Sequence, residues 1–190
     1  MAIVLASQSP RRQELLARIG VEDFKTLSLD IDESYPEGLS PEDTVRYIAK
    51  KKCDAAAALG APDDLIITAD TMVFLGNDRL GKPRDEEDAL RMLRALSGRG
   101  HTVCTGVSVR RGAQEERFAV STRVFFRPMT DDEIRAYIKT GEPMDKAGAY
   151  GVQSRGALFV ERIDGDFFNV MGLPVEQLGL VLARFGVKLL

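Results

Sequence analysis

Hydrophobic and polar positions alternate along this chain in two recognisable periods, and the periods predict the elements. Ile3 to Ala6 is a short apolar run suited to a buried first strand. Ser9 and Pro10 then stand as helix cap and first helical residue, with Leu15, Leu16 and Ile19 as the buried stripe and Gly20 as the stop. Ser40-Pro41-Glu42-Asp43 repeats the start signal and predicts a helix to about Leu59. Val45, Ile48, Ala49, Ala56 and Leu59 form its apolar stripe, and Lys52 falls on that stripe. A lysine there either snorkels at the edge, the commoner case, or faces a site.

Leu65 to Ala69 is a second buried strand ending at Asp70-Thr71, continued by Met72 to Leu75 and a turn at Gly76-Asn77-Asp78. Gly81-Lys82-Pro83 reads as a loop, and Asp85 caps a helix through Leu96. Thr102–Val109 and Arg117–Phe126 alternate with period two around a hairpin at Arg110 to Ala113; Val103, Val107, Val109, Phe118, Val120, Val124 and Phe126 point inward. Thr130 to Glu133 is a capping box opening a helix through Ile138. Lys146 to Gly156 is a glycine-rich loop. Leu158–Ile163 and Phe167–Met171 predict a hairpin around Asp164-Gly165, and Pro174 to Phe185 the last helix. The expected fold is α/β: a mixed twisted sheet flanked by helices. No repeat or linker interrupts it.

Composition changes this picture little. A chain of 190 residues favours one domain over 1–190, with room for two lobes. With 29 acids against 26 bases, the net charge of -3 does not favour long nucleic acid as a ligand. The two cysteines, Cys53 and Cys104, are not in a C-x-x-C pair and read as buried free thiols, which fits the cytoplasm. The apolar N-terminus has no basic flank and reads as a strand, not a signal peptide, and no run is long enough for a membrane span.

Chemistry enters at four places. Ser7-Gln8-Ser9-Pro10-Arg11-Arg12 lies where a strand hands over to a helix, whose N-terminus suits phosphate. Arg11 and Arg12 are permanently charged forks in a first turn that disfavours cations; they either grip phosphate or point into water. Asp70 ends an apolar strand, a frequent site position in α/β folds, or is a turn aspartate. Asp30-Ile31-Asp32-Glu33 is rich in hard oxygen donors suited to Mg²⁺ or Mn²⁺, or is solvated surface. Lys52, Lys82 and Lys146 are point charges that could each meet a phosphate. His101 is the only histidine, so histidine triads and zinc sites have little support, and neither a Walker loop nor a dinucleotide fingerprint occurs. Carboxylates with cations suit metal-assisted displacement at phosphorus.

Five blocks in order resemble the Maf family: S-Q-S-P-R-R, A-D-T, G-K-P, D-K-A-G-A-Y-G-V-Q and D-G-D-F-F-N-V-M-G-L-P. The resemblance covers nearly the whole chain. It implies a fold related to the inosine triphosphate pyrophosphatases, with a cleft, and hydrolysis of nucleoside triphosphates to monophosphate and pyrophosphate with a divalent metal. Asp70 then matches the catalytic acid, serving as base toward water and, with Glu33, as metal ligand. Ser7, Arg11 and Arg12 match the phosphate motif; Glu33, Lys52 and Lys82 match further site residues. Gln153, Arg11 and Thr71 match the members that prefer dTTP and UTP over 7-methyl-GTP. A glutamine amide offers the donor and acceptor that uracil and thymine edges require. A homodimer is implied as well. The alternatives are a nucleotide-sensing or partner-binding regulator of septum formation without turnover, and a phosphatase releasing orthophosphate.

Overall fold

β1 (Ile3–Leu5) pairs in parallel with both β2 (Phe24–Thr26) and β3 (Leu65–Leu75), Ile3 standing opposite Phe24 on one side and Leu65 on the other. The computed structural model describes residues 2–190, so Met1, at the start of the apolar N-terminal run, lies outside the described residues. The seven-stranded sheet has the order β2-β1-β3-β5-β6-β7, with β4 (Asp78–Leu80) antiparallel against the end of β3. β5 is Gly100–Arg111, β6 is Gln114–Phe126 and β7 is Val160–Asp164. β7 runs antiparallel to β6. The mixed α/β expectation holds.

The chain forms two compact units. The first comprises Met1–Asp70, Thr105–Val120 and Gly172–Leu190. It contains α1 (Pro10–Arg18), α2 (Pro41–Leu59) and α6 (Val175–Arg184). α2 starts where the sequence indicates, with Ser40 accepting from the Asp43 N–H. Ser9 also takes the cap position of α1, but its side chain makes no capping bond; instead its own N–H donates to Ser7 Oγ at 3.2 Å. Val4, Ala6 and Ile66 pack with Cys53 and Ala56 of α2. α2 lies unusually close to β5. A Cβ on Gly106 would stand 2.3 Å from the Val45 backbone carbon, so only glycine permits this approach. Thr68 of β3 donates its hydroxyl to the Ala49 carbonyl at 2.7 Å, a second tie to the same helix.

The second unit comprises Thr71–Cys104 and Ser121–Met171. It contains α3 (Glu86–Leu96), α4 (Asp131–Ile138) and α5 (Phe167–Met171). Asp85 caps α3, and Thr130 with Glu133 closes the expected capping box on α4. Leu90, Leu93, Leu96, Val124, Phe126 and Ile134 are fully enclosed here. His101 donates to or accepts from the Tyr150 hydroxyl at 2.8 Å, and both rings meet Phe126 edge to face. Both cysteines are buried thiols outside any disulfide, as expected.

Several expectations change, and Leu59, expected on the apolar stripe of α2, is exposed. Phe167–Met171 is a helix, not the return strand of a hairpin, and Arg155–Phe159 is a 3-10 turn that leaves only Val160–Asp164 as strand. A five-residue, mostly apolar run has no period that separates strand from helix, and here Asp166 decides. Its carboxylate accepts from the Phe168 N–H at 2.7 Å and its carbonyl from the Val170 N–H, which closes a helical turn. β5 is buried on both faces from Val103 to Val109 where alternation was read, because it is an interior strand. On β6, Val124 and Phe126 are buried as expected, whereas Phe118 and Val120 are only half-buried. β3 is one continuous strand through Leu75, so Asp70 is central in it rather than terminal.

Candidate active site

The first unit holds six of the residues singled out by sequence: Ser7, Arg11, Arg12, Glu33, Lys52 and Asp70. Lys52, three turns into α2, reaches between two carboxylates and lies 2.8 Å from Asp70 Oδ1 and 2.8 Å from Glu33 Oε1. Lys52 and Asp70 are nearly enclosed, with side chains 13% and 9% exposed, while Glu33 is 57% exposed. The lysine is therefore turned inward between two carboxylates and does not snorkel at an edge. The other oxygen of Asp70, Oδ2, is buried with no hydrogen-bond partner. An unpaired buried carboxylate oxygen is costly to maintain and is retained where a ligand or proton will meet it.

Arg12 completes this cluster. Its Nε donates to the Gly172 carbonyl at 2.8 Å and its terminal nitrogen to Ser7 Oγ at 3.3 Å. Burial pulls its pKa down from the ordinary arginine value; Asp70 and Glu33 oppose that pull and neighbouring Arg11 adds to it. Even lowered, a guanidinium stays charged at neutral pH. No acidic residue occupies the first turn of α1, where two arginines stand beside the positive end of the helix dipole. That arrangement suits an incoming polyanion.

Asp32 and Glu33 divide their work. Asp32 accepts from the Ser34 N–H at 2.9 Å, from the Ser34 hydroxyl, and from Lys51 at 3.3 Å. These bonds hold its pKa down to about 2 and turn it away from Lys52. Glu33 is thus the carboxylate of the pair that meets the site lysine. Lys146 is held within its own loop. Its ammonium donates to the Glu142 carbonyl at 2.7 Å and to Asp145 at 2.6 Å.

The remaining candidates belong to the second unit. Thr71 is half-buried on β3, and Lys82 and Gln153 are exposed on loops. The Gly148 N–H donates to the Gly81 carbonyl at 3.1 Å, which ties the loop of Lys82 to the segment leading to Gln153. Two contributors escaped sequence reading. The Gly172 carbonyl anchors Arg12, but a backbone oxygen leaves no mark in a sequence beyond the G-L-P of its block. Glu142 organises the loop around Gln153, yet it stands outside every quoted block.

Among the described residues no group of three or more histidine, cysteine, aspartate or glutamate side chains is placed to hold a metal ion. The donors present are two carboxylates, one with a bare buried oxygen. That set fits Mg²⁺ or Mn²⁺, hard cations that keep waters and take further oxygens from substrate phosphate.

The sequence as a whole decides the family, because a family model described as Maf-like protein matches residues 2–185. The chain belongs to the Maf-like family. A Maf-like relative from Bacillus velezensis, named dTTP/UTP pyrophosphatase, is 47% identical over 186 residues, covering 98% of this chain and 97% of that one. Another of the same name, from Moorella thermoacetica, is 52% identical over 188 residues, covering 97% and 95%. The Maf-like chain also shares its fold with the Ham1 protein of Staphylococcus aureus, at 14% identity and a TM-score of 0.55 over 97% of this chain and 100% of that one. No described helix is long and apolar enough to cross a membrane.

Proposed function

We propose that this Maf-like protein hydrolyses dTTP and UTP to the nucleoside monophosphate and pyrophosphate. The observation that carries the reading is Asp70, with one oxygen fixed by Lys52 and the other buried and bare. Whole-length relatives named for that activity support it.

Asp70 accepts the proton of a water molecule as its oxygen attacks the α phosphorus. The bond from that phosphorus to the α–β bridging oxygen breaks, and pyrophosphate carries the electron pair away. Lys52, held at 2.8 Å by Asp70 and Glu33, and Arg12, held by Gly172, stabilise the negative charge that develops. Ser7, Arg11 and Lys82 share in holding the phosphates. Asp70 and Glu33 would hold Mg²⁺ or Mn²⁺, which when bound supplies Lewis-acid polarisation of phosphate oxygens. Gln153 and Thr71 are assigned to the base. A homodimer is proposed with this reading and is tested by light scattering.

One assay decides among the readings. The protein is incubated with dTTP, UTP, CTP and GTP in Mg²⁺ or Mn²⁺ and the products are identified. Monophosphate with pyrophosphate is the expected result. Orthophosphate would replace it with a phosphatase, and tight binding without turnover with a sensor.

A further inference from the structure

The segment that carries Gln153 is wound around one carboxylate of its own unit. Glu142 Oε1 accepts from the Tyr137 hydroxyl at 2.7 Å, the Ser154 hydroxyl at 2.7 Å and the Gly156 N–H at 3.2 Å. Its other oxygen accepts from the Arg155 N–H at 3.3 Å. The Tyr137 hydroxyl in turn accepts from the Gly151 N–H at 3.1 Å. Gly151 on one side of Gln153, and Ser154, Arg155 and Gly156 on the other, are therefore all referred to Glu142, directly or through one hydroxyl.

The same loop is closely packed, most tightly where Gly156 meets the Gly151 backbone. A Cβ on Gly156 would stand 2.5 Å from the Gly151 carbonyl oxygen, and one on Gly151 would stand 2.9 Å from both Lys146 Cε and Ser154 Oγ. Ala149 is the one described non-glycine residue with positive φ, at 61°. A strained backbone persists only where its surroundings over-determine it. Burial pushes the Glu142 pKa up, but the donors on its two oxygens outweigh burial and hold it below the ordinary value. The carboxylate stays charged at neutral pH, and hydrogen bonds to a charged acceptor are the stronger kind.

Gln153 itself makes no comparable demand on its surroundings. Its side chain is exposed, so its direction depends on the backbone that bears it. An amide selects uracil or thymine over cytosine only if its donor and acceptor are presented together, because cytosine reverses both positions. We propose that Glu142 is a positioning residue for base selection, holding residues 151–156 so that Gln153 is presented in one orientation. This rests on the assignment of Gln153 to the base.

The test is a double-mutant cycle on kcat and KM for dTTP and CTP, using Glu142→Gln, Gln153→Ala and the double variant. Glu142→Gln keeps the side-chain shape but leaves one acceptor where there were two, and an N–H group facing the Arg155 N–H. It is expected to raise the KM for dTTP roughly tenfold with kcat changed little, and to narrow the dTTP-to-CTP preference by a similar factor. In the Gln153→Ala background the same change is expected to leave the preference where it is. Tyr137→Phe, which keeps the ring packed on Phe159 and removes only the relay hydroxyl, is expected to move preference in the same direction and supplies the reading if Glu142→Gln does not fold. A folded Glu142→Gln with wild-type preference overturns the positioning role, as does an equal effect in both backgrounds. Wild-type preference in Gln153→Ala overturns the assignment of Gln153 first, and the proposal with it.

Discussion

A carboxylate that has one oxygen on a lysine and the other bare is poised differently from one that has both satisfied. Asp70→Asn keeps the size of the side chain and removes the basic oxygen. Turnover of dTTP is expected to fall on the order of a hundredfold or more with the melting temperature close to wild type, read by pyrophosphate release and by calorimetry. Lys52→Met has a different signature, because it leaves a nearly enclosed carboxylate without its cation. Urea unfolding at neutral pH is expected to show a loss of about 3 kcal/mol, beyond any loss of activity. These two residues were legible for opposite reasons. Asp70 stands out as an acid in an apolar strand. Lys52 stands out as a charge on an apolar stripe, and only its partners decide between edge and site. The choice of Glu33 over Asp32 rests on the family resemblance alone, since by residue pattern adjacent carboxylates are equivalent until Ser34 and Lys51 claim one of them. The partners of Lys146 were not legible either: Glu142 and Asp145 are local, but their direction depends on a loop turn that a sequence does not display.

At the level of elements, α2 and β5 show how a helix that bears a site residue is located. Nothing but the hydrogen atoms of Gly106 separates β5 from the Val45 backbone. Gly106→Ala is expected to push α2 outward and to lower stability by about 3 kcal/mol in urea titration, with turnover reduced because Lys52 moves with the helix. Helix starts were the most readable features, since Ser-Pro, Asp and the Thr130–Glu133 box act locally. Short elements were the least readable. β2 and β4 have three residues each and exist because a neighbouring strand offers them a ladder. The sequence pattern of α5 reads as a strand because its turn is closed by Asp166 and its docking by Asn169, whose amide donates to the Val103 carbonyl at 3.0 Å and to Thr122 Oγ1 at 2.9 Å. Those are tertiary partners, invisible to a period count.

For the molecule as a whole, His101 governs the first response to acid. Burial pushes its pKa down to about 4, from an ordinary 6.5, and its Nδ1 has no hydrogen-bond partner to receive a proton. The unfolded chain therefore binds a proton between these values that the folded chain does not. Stability is complete above pH 6.5 and declines as pH falls toward 4, by about 3 kcal/mol. His101→Gln is expected to flatten urea midpoints across that window while leaving the decline at lower pH, where Asp88 and Glu133, both held down to about 2, begin to protonate. The contact at Gly106 has a consequence of another kind. Backbone resting on backbone contains no rotamer that can turn aside, and the Thr68 bond to Ala49 secures the next turn of the same helix. Amide protons of α2 around Ile48 and of β5 around Val107 should then be among the slowest in the chain to exchange with deuterium, requiring near-complete unfolding rather than local opening. The lysine that meets Asp70 grows from the turn beside them, so its base is rooted where the protein breathes least.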